Sequence, residues 1–538
     1  MISGAQALVD SLLRENVTQM FGYAGATICP AVDAVKASAI RYTLVRTEQN
    51  AGHMASGYAR ISGKVGVCMV TSGPGATNLI TGIATAYMDS IPIVAITGQV
   101  ESYLLGRDIF QEVDMTGAVA PFIKHSYLVK DVKQIPRIVK EAFHIASTGR
   151  PGPVLIDIPI DVQKAMFEPV YPETVDIRGY KPSVKGNPKQ IARAAKAICQ
   201  AKKPVLCLGG GVIIAGAQKE AIEFAEKAGI PVVTTMMGLG IIPTDHPLYM
   251  GMIGSFGHTS ANKTLGNADL LILVGARVAN RAVLAPDQIG KLMKTIHIDV
   301  DPAEIGKNVA TTIPVVGDVK QVLLQLMEHC PVAQTQDVEA MQDKRRAELR
   351  RELPTKAGYT HPGRVLRALG EKLEDDACVA VDVGQNQIWA CKHLKLKHGR
   401  FLTTGGLGTM GYSLPAALGA SVADPERQHV VICGDGSFQM FENELSTLRN
   451  VGAPVKIVLM RNTVLGLVNE IQSSAYSGPF GVALDHSPDF GILAEAYGVA
   501  WGELSEDGDI DEALDAMLRS EGPYLLICNV DPEARTGD

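Results

Sequence analysis

Short runs of β-branched and apolar residues alternate with amphipathic segments along almost the whole chain, and this alternation restricts the fold more than any other feature. The pattern is typical of parallel sheets whose strands are connected by crossover helices. Polar stretches at 168–188 and 353–360 divide it into three blocks. We therefore expect an α/β protein with three doubly wound parallel-sheet domains, at 1–167, 189–335 and 356–538, the central one Rossmann-like. The predicted strands are 65–70, 91–97, 154–158, 205–208, 231–235, 270–274, 295–300, 379–383, 429–433, 455–460 and 524–530, and a charged helix is predicted at 337–352.

Composition and charge narrow the kinds of partner that the chain can have. A chain of 538 residues, 46% of them hydrophobic, can bury a large core. The net charge of -7 and the lack of a long basic block argue against nucleic acid or an anionic membrane as a partner. No apolar run is long enough to span a bilayer. The nine cysteines form no C-x-x-C pair, which predicts buried, reduced thiols and a cytoplasmic protein.

A glycine-rich turn at 434–437 follows one predicted strand and precedes a predicted helix at 438–449. Such a turn forms a diphosphate site, because free backbone N–H groups and the helix dipole face the anion. Asp435 and Asn462 follow neighbouring predicted strands and offer the hard oxygen ligands that Mg²⁺ prefers, and the carbonyl of Val464 would add a third. The alternative is a surface turn near an unrelated strand end. The candidate residues of the turn are Gly434, Asp435, Gly436 and Ser437.

A glutamate in the first block is a second feature that bears on function, independently of the glycine-rich turn. The segment 46–60 places Glu48 in front of a predicted helix. Together with the glycine turn, this segment resembles the family of thiamine-diphosphate-dependent enzymes. In that family a carboxylate on N1′ of the aminopyrimidine lets the imino group take the proton from thiazolium C2. The resemblance assigns this role to Glu48, and a helix-capping glutamate is the alternative.

Two further glycine-rich segments resemble cofactor loops of the same family. The segment 72–78 follows a predicted strand and opens a helix, and its glycines allow close backbone approach. The segment 405–412 resembles the loop that places a bulky apolar side chain under the thiazolium. Met410 is the candidate for that side chain, and an ordinary core methionine is the alternative. Besides the turn at 434–437, the cofactor contacts that the resemblance implies are Gly73, Pro74, Asn78, Gln385, Gly408, Met410, Asn462, Leu465 and Gly466.

Over essentially the whole chain the sequence is similar to the catalytic subunits of the acetolactate synthase family. The segment 110–114 is similar to the stretch in which Phe110 and Gln111 would line the substrate pocket. Gln111 and the backbone of Gly25 would hold oxyanion and hydroxyl groups of the intermediates. The resemblance implies an enzyme of branched-chain amino acid biosynthesis, a transferase or lyase, that decarboxylates pyruvate and joins the product to a second 2-oxo acid.

The same resemblance implies partners and a further cofactor. Glu48 and the diphosphate motif of the family meet across two subunits, which implies a homodimer or homotetramer, and a regulatory subunit is a further expected partner. The segments 208–212, 238–240, 275–277 and 298–307 are similar to the part of the family that holds a structural FAD. The family's acidic pair is replaced by Ala279 and Asn280, and its Met-His pair by Ser255 and Phe256, so the presence of FAD stays open.

Two substitutions concern the substrate and keep other functions open. Ile160 stands where the family has a lysine. Ile471 stands where it has the tryptophan that favours 2-oxobutyrate, so pyruvate is favoured as the second substrate. One alternative is a decarboxylase or aldehyde carboligase with the same cofactor. A second alternative is a flavin or nicotinamide oxidoreductase, which only the triplet 209–211 indicates. A third is a non-catalytic relative, and the presence of Glu48, Asp435 and Asn462 argues against it.

Overall fold

The computed structural model describes residues 1–283, 286–329 and 337–537, without the side chain of Asp287. Cys330, predicted to be a buried thiol, lies outside the described residues, as do the ends of two predicted domains at 335 and 538. The described parts confirm the α/β class and the three parallel sheets, each with helices on both faces. The exact domain boundaries stay a prediction.

The first sheet has six parallel strands in the order β3-β2-β4-β5-β7-β6. A short antiparallel pair, β1 with β8, joins the two ends of this part of the chain. The strands are β1 (Ile2–Ser3), β2 (Gln19–Tyr23), β3 (Arg41–Leu44), β4 (Gly66–Val70), β5 (Ile93–Gln99), β6 (His125–Leu128), β7 (Val154–Pro159) and β8 (Met166–Phe167). The helices are α1 (Gly4–Arg14), α2 (Cys29–Lys36), α3 (Glu48–Ser62), α4 (Pro74–Met88), α5 (Met115–Val119), α6 (Ile135–Ser147) and α7 (Ile160–Lys164).

The second sheet has the order β11-β10-β9-β12-β13-β14, which is the Rossmann order predicted for the central block. Its strands are β9 (Pro204–Leu208), β10 (Val232–Thr234), β11 (Tyr249–Met252), β12 (Leu270–Val274), β13 (Lys294–Asp299) and β14 (Ile313–Val316). The helices are α8 (Pro188–Gln200), α9 (Gly210–Ile214), α10 (Gln218–Ala228), α11 (Thr259–Gly266), α12 (Pro286–Leu292), α13 (Val319–His329) and α14 (Val338–Leu349).

The third sheet has the order β16-β15-β17-β18-β20-β19, which repeats the strand order of the first sheet. Its strands are β15 (Cys378–Val381), β16 (Arg400–Leu402), β17 (His429–Gly434), β18 (Lys456–Arg461), β19 (Ala500–Leu504) and β20 (Tyr524–Asn529). The helices are α15 (Pro362–Lys372), α16 (Gln385–His393), α17 (Ser413–Ala423), α18 (Asp435–Phe438), α19 (Leu445–Val451), α20 (Gly466–Ala475), α21 (Phe490–Ala496) and α22 (Ile510–Arg519). Short 3₁₀ turns lie at Ala26–Ile28, Ser102–Leu104, Ala120–Phe122, Val132–Gln134, Met236–Gly238, Glu442–Glu444 and Asp507–Asp509.

Helices α3 and α17 join the first and third domains through one continuous hydrophobic core. Their backbones approach so closely that a Cβ on Gly57 would overlap the carbonyl of Ala416, and one on Gly419 would overlap the carbonyl of Met54. Glycine is needed at both places because no side-chain atom fits. The contact fixes α3, and with it Glu48 at its first turn, against the third domain.

Two expectations from the sequence are wrong in part. The helix predicted at 438–449 begins earlier, at Asp435, and is interrupted before α19. At the interruption Phe441 has φ -135°, which lets the rings of Phe438 and Phe441 both turn into the core, 5.5 Å apart. The second concerns the cysteines, which were predicted to be buried: Cys29 and Cys199 are exposed.

Candidate active site

Asp435 and Asn462 meet at the carboxyl ends of the adjacent parallel strands β17 and β18. Both residues are buried. Asp435 accepts backbone N–H bonds from Gly436 (3.0 Å), Asn462 (3.1 Å) and Thr463 (2.6 Å). Burial raises the pKa of Asp435 to about 6, and a bound cation would stabilise its charged form. The carboxylate and amide oxygens fit Mg²⁺, and Val464 follows two residues after Asn462.

Other predicted cofactor residues surround this pair. Asn462 donates from Nδ2 to Gln385 Oε1 (3.1 Å), and Gln385 lies at the start of α16. A Cβ on Gly466 would overlap the same oxygen of Gln385. Gln385 Nε2 also donates to the carbonyl of Ala534 (2.7 Å) and to Glu470 (3.2 Å). Gln385 therefore links the end of β15, the end of β18 and the C-terminal residues.

The turn at 434–437 has an apolar wall opposite it. A Cβ on Gly436 would stand 2.8 Å from Leu465 Cδ2 and 3.6 Å from Met410 Cε, so only glycine leaves room between these side chains. Ser437 bonds back to the carbonyl of Gly434 (3.2 Å). Gly408, two residues before Met410, has φ +75°, and no atom lies within 4 Å of a Cβ built on it. It lines the large cavity between the domains that is described below, not the Asp435 group. The structure brings the other residues predicted in the third domain together in one place. They are Gln385, Met410, Gly434, Asp435, Gly436, Ser437, Asn462, Val464, Leu465 and Gly466.

The residues predicted in the first domain form a second group. Asn78 Nδ2 donates to Glu48 Oε2 (3.0 Å), and a Cβ on Gly75 would stand 3.2 Å from Glu48 Oε1. Gly73, with φ +60°, lies against Gln111, and Pro74 opens α4 beside it. Gln111 itself has φ +64°, a backbone conformation that is rare for a residue other than glycine.

Gly25 and Phe110 lie at the margins of this second group. Gly25 lies against Thr71, where a Cβ would stand 2.5 Å from Thr71 Cβ. Phe110 is 86% exposed and therefore lines no closed pocket within one chain. Among the described residues, no hydrogen bond joins the group around Glu48 to the group around Asp435.

Three buried carboxylates near these groups were not predicted. Asp382, directly after β15, accepts from Gly411 N–H and from both N–H and Oγ of Ser413. Asp89 accepts from Gly405 and Gly406 N–H, and Glu444 accepts from Arg46 and Thr47 N–H and from Asn50 Nδ2. The position of Asp382 directly after a strand could have identified it as a site residue. For Asp89 and Glu444 the sequence contains no such indication, because the backbone N–H groups that they accept from lie hundreds of residues away in the chain.

A cavity of about 960 Å³ lies where the three domains meet. It is lined by the glycines of α9 and by Gly275, Arg277 and Glu304, and its size suits a dinucleotide. The buried Glu304 Oε2 has no hydrogen-bond partner among the described residues, which a polar ligand would supply. Three residues that depart from the acetolactate synthase pattern, Phe256, Ala279 and Asn280, also line it. The cavity fits FAD in place and size.

No helix among the described residues is both long and apolar enough to cross a membrane.

The comparison with protein families agrees with this architecture. Three family descriptions match in chain order: thiamine pyrophosphate enzyme, N-terminal TPP binding domain, at residues 2–118; central domain at 191–326; and C-terminal TPP binding domain at 382–528. The N-terminal match contains Glu48 and the C-terminal match contains the Asp435 group. Fold and site therefore define a thiamine-diphosphate-dependent enzyme.

The similarity to known proteins extends over nearly the whole chain. An acetolactate synthase of Arthrospira platensis is 43% identical over 98% of this chain and 93% of its own length. A probable acetolactate synthase large subunit of Methanocaldococcus jannaschii is 44% identical over 99% of this chain and 92% of its own. Acetolactate synthase isozyme 3 large subunit of Escherichia coli is 43% identical over 96% and 92%. The chain belongs to the acetolactate synthase family of thiamine pyrophosphate enzymes.

Proposed function

We propose that the enzyme decarboxylates pyruvate and transfers the remaining two-carbon unit to a second 2-oxo acid. The observation that carries this proposal is the pairing of Asp435 with Asn462 at the ends of two adjacent strands, opposite Met410. A buried carboxylate and amide beside a glycine turn supply a place for magnesium diphosphate. Family membership supports the same reaction class.

Each group of residues has a separate task in this proposal. Asp435, Asn462 and the carbonyl of Val464 would hold Mg²⁺, and the N–H groups of the turn at 434–437 would hold the diphosphate. Met410 and Leu465 form the apolar surface over Gly436 on which the thiazolium ring would rest. Bound thiamine diphosphate supplies the carbon nucleophile and the electron sink of the reaction.

Glu48 moves the proton. Its carboxylate is fixed by Asn78 on one oxygen and lies close to Gly75 on the other side, so it is held in one orientation that a bound aminopyrimidine would meet. In this position it would hold a proton at N1′ of the aminopyrimidine. Gln111 and the backbone at Gly25 would orient the oxygen atoms of the reacting acids, and Phe110 would cover them once a second subunit encloses the site.

The two substitutions in the substrate region lead to a narrower proposal. Ile160 opens α7 and provides no cation for a substrate carboxylate. Ile471 lies on α20, is 47% exposed, and is smaller than the tryptophan of the family pattern. We infer that pyruvate serves as both donor and acceptor, giving acetolactate.

Three further features belong to the proposal. A homodimer is the smallest assembly that joins the Glu48 group of one chain to the Asp435 group of another. A regulatory subunit is a partner that the name "large subunit" of relatives supports. FAD would occupy the cavity between the domains, held by Arg277 and the glycines of α9, in a structural role.

The test is a product analysis. Purified protein is supplied with pyruvate, thiamine diphosphate and Mg²⁺, with and without FAD, and the products are identified by mass spectrometry. We expect acetolactate that disappears in Glu48→Ala and after chelation of the metal. Acetaldehyde as the main product would identify a decarboxylase instead, and turnover that needs no thiamine diphosphate would refute the proposal. The two FAD conditions show whether the cavity must be filled.

A further inference from the structure

The segment of residues 404–413, here called the Met410 segment, connects β16 to α17 and is rich in glycine. Gly405, Gly406, Gly408 and Gly411 all belong to it, and the last two have φ of +75° and +83°. Glycine loses more conformational freedom on folding than any other residue, so such a segment needs outside contacts to keep one conformation. An internal hydrogen bond, from Thr404 Oγ1 to the carbonyl of Thr409 (3.1 Å), spans only its first half.

Helix α4 of the first domain holds that first half. Asp89, which follows the last turn of α4 and is 6% exposed, accepts N–H bonds from Gly406 (2.8 Å) and Gly405 (3.2 Å). Thr85 lies one helical turn earlier on the same face of α4 and shares a hydrogen bond of 2.8 Å with Thr409. The residue directly before Met410 is therefore fixed by the first domain.

Arg60 of α3 completes the contact. Its Nη2 atom lies 3.4 Å from Asp89 Oδ2, and its Nη1 atom donates to the carbonyl of Thr403 (2.8 Å). Arg60 thus holds Asp89 and the start of the Met410 segment together. Both side chains of this ion pair are nearly inaccessible to solvent, so water cannot replace either partner at low cost.

Asp382 holds the other end of the segment. It is fully buried and accepts from Gly411 N–H (3.0 Å), Ser413 N–H (3.0 Å) and Ser413 Oγ (2.8 Å). Met410 lies between the two anchored ends, with Cε directed at Gly436 of the diphosphate turn. The position of this side chain therefore depends on one carboxylate from each of two domains.

We propose that Asp89 is a positioning residue for the thiamine site: from the first domain, and together with Asp382, it sets the place of Met410 in the third domain. The inference rests on the proposed role of Met410 beneath the cofactor. It differs from a merely structural role, because loss of the Asp89 contacts would change the conformation of the bound cofactor and the turnover of each folded, cofactor-loaded molecule.

The main variant is Asp89→Asn. With its oxygen at the Oδ1 position, the amide can still accept from Gly405 and Gly406 N–H, but its NH₂ group then faces Arg60 Nη2, so the ion pair that ties α3 to the start of the Met410 segment is lost. Asp269→Asn is the matched control. Asp269 also accepts from two consecutive backbone N–H groups, those of Lys202 and Lys203 (2.8 Å each), but in the central domain. Both variants weaken a carboxylate that accepts from two consecutive backbone N–H groups, but Asp269 is exposed and only Asp89 contacts the Met410 segment and the buried Arg60.

Three quantities are measured at saturating thiamine diphosphate, Mg²⁺ and FAD: kcat with pyruvate, the near-ultraviolet circular dichroism of the bound cofactor, and Tm. For Asp89→Asn we expect kcat to fall about 10- to 100-fold, as for a displacement of the order of 1 Å at a reacting group. We also expect an altered dichroism per bound cofactor. Tm should fall more than in the control, because Arg60 is left buried without its charged partner, so kcat and dichroism are compared per folded, cofactor-loaded enzyme. If Asp89→Asn does not fold, Arg60→Lys replaces it, since lysine cannot bond Asp89 and Thr403 at the same time.

The outcomes separate this inference from the proposed function. Wild-type kcat and dichroism in folded Asp89→Asn would overturn the positioning role, as would equal losses in Asp269→Asn. If the wild type binds thiamine diphosphate but does not turn over pyruvate, the proposed function fails, and the dichroism still decides the role of Asp89. If the wild type does not bind the cofactor, both are wrong.

Discussion

Glu48 is the residue on which the proposed chemistry depends most. Glutamine at this position keeps the shape but loses the charge, and we expect Glu48→Gln to lower kcat about 10²- to 10⁴-fold, the range for loss of a general acid or base. Affinity for thiamine diphosphate should change little, because in the proposed arrangement its diphosphate is held by the third domain. Steady-state kinetics with pyruvate, together with a cofactor titration, measure both quantities.

Asn78 provides the graded comparison for Glu48. Asn78→Ala removes one hydrogen bond to the carboxylate but leaves the carboxylate in place. Its kcat should therefore lie between those of the wild type and Glu48→Gln. If Glu48→Gln retained more than a tenth of wild-type turnover, another group would have to carry the proton.

Asp157 is expected to make stability depend on pH. It lies on β7, accepts from Thr97 Oγ1 and Gln99 Nε2, and burial raises its pKa to about 7, against about 4 for a free aspartate. Between these values the folded chain keeps a proton that the unfolded chain has lost. The stability contributed by this raised pKa is thus present at low pH and is lost as pH rises towards 7.

The variant Asp157→Asn tests this sign. Asparagine stays neutral and can accept from Gln99 while donating to Thr97, so the variant should match the wild type near pH 5. At pH 8 it should be the more stable of the two, by several degrees in Tm. Thermal unfolding from pH 5 to 8 measures the difference, and a Tm difference independent of pH would contradict the prediction.

The candidate residues that could be identified from the sequence are those that lie in a local sequence pattern. Asp435 follows a strand within a glycine turn, and Glu48 lies in a recognisable segment. Asp89 and Glu444 carry no such pattern, since each becomes a buried acceptor only when a segment more than 300 positions away in the chain packs against it. Local sequence can identify chemistry, but it does not identify which distant backbone a carboxylate will meet.

At the scale of secondary-structure elements, the α3–α17 crossing is the contact most sensitive to substitution. We expect Gly57→Ala to destabilise the protein by about 1–3 kcal/mol, the usual cost of overpacking, because its Cβ would overlap the carbonyl of Ala416. Gly266→Ala is the control. It also lies in a helix, α11, but no atom is within 4 Å of its Cβ, so Tm should stay the same or rise slightly. Equal Tm values for the two variants would contradict the close approach.

The strands that the sequence did not reveal are mostly edge strands. The strands β3, β6, β11, β14, β16 and β19 form the edges of the three six-stranded sheets, and β1 and β8 form the separate two-stranded sheet. Among the described residues, β2 is the one inner strand that was missed. The predicted strands are central and buried on both faces, so they are continuous apolar runs. An edge strand such as Arg41–Leu44 is exposed along much of its length, and its composition does not distinguish it from a loop. The strand β2, Gln19–Tyr23, was missed because its glutamine and glycine make it less apolar than the other inner strands.

At the scale of the whole molecule, the first and third sheets have the same strand order, and each carries one half of the candidate site. The Glu48 group lies at strand ends of the first sheet and the Asp435 group at strand ends of the third. Parallel sheets place ligand sites at the carboxyl ends of their strands, so two such sheets can enclose a cofactor only by facing each other. Within one chain the α3–α17 contact already occupies one face of each domain.

Complementation between two inactive variants tests whether the complete site forms between chains. Glu48→Ala and Asp435→Ala should each be inactive alone. If one chain supplies Glu48 and its partner supplies Asp435, a mixed dimer has one site with both lesions and one site with neither. Random mixing makes half of the dimers mixed, so activity should return to about a quarter of the wild-type value. The variants are mixed after reversible dissociation or are co-expressed, and acetolactate formation is measured against each variant alone. A site contained within one chain would give no recovery, because every chain in the mixture carries one lesion, and that result would require Glu48 and Asp435 to face each other within a single subunit.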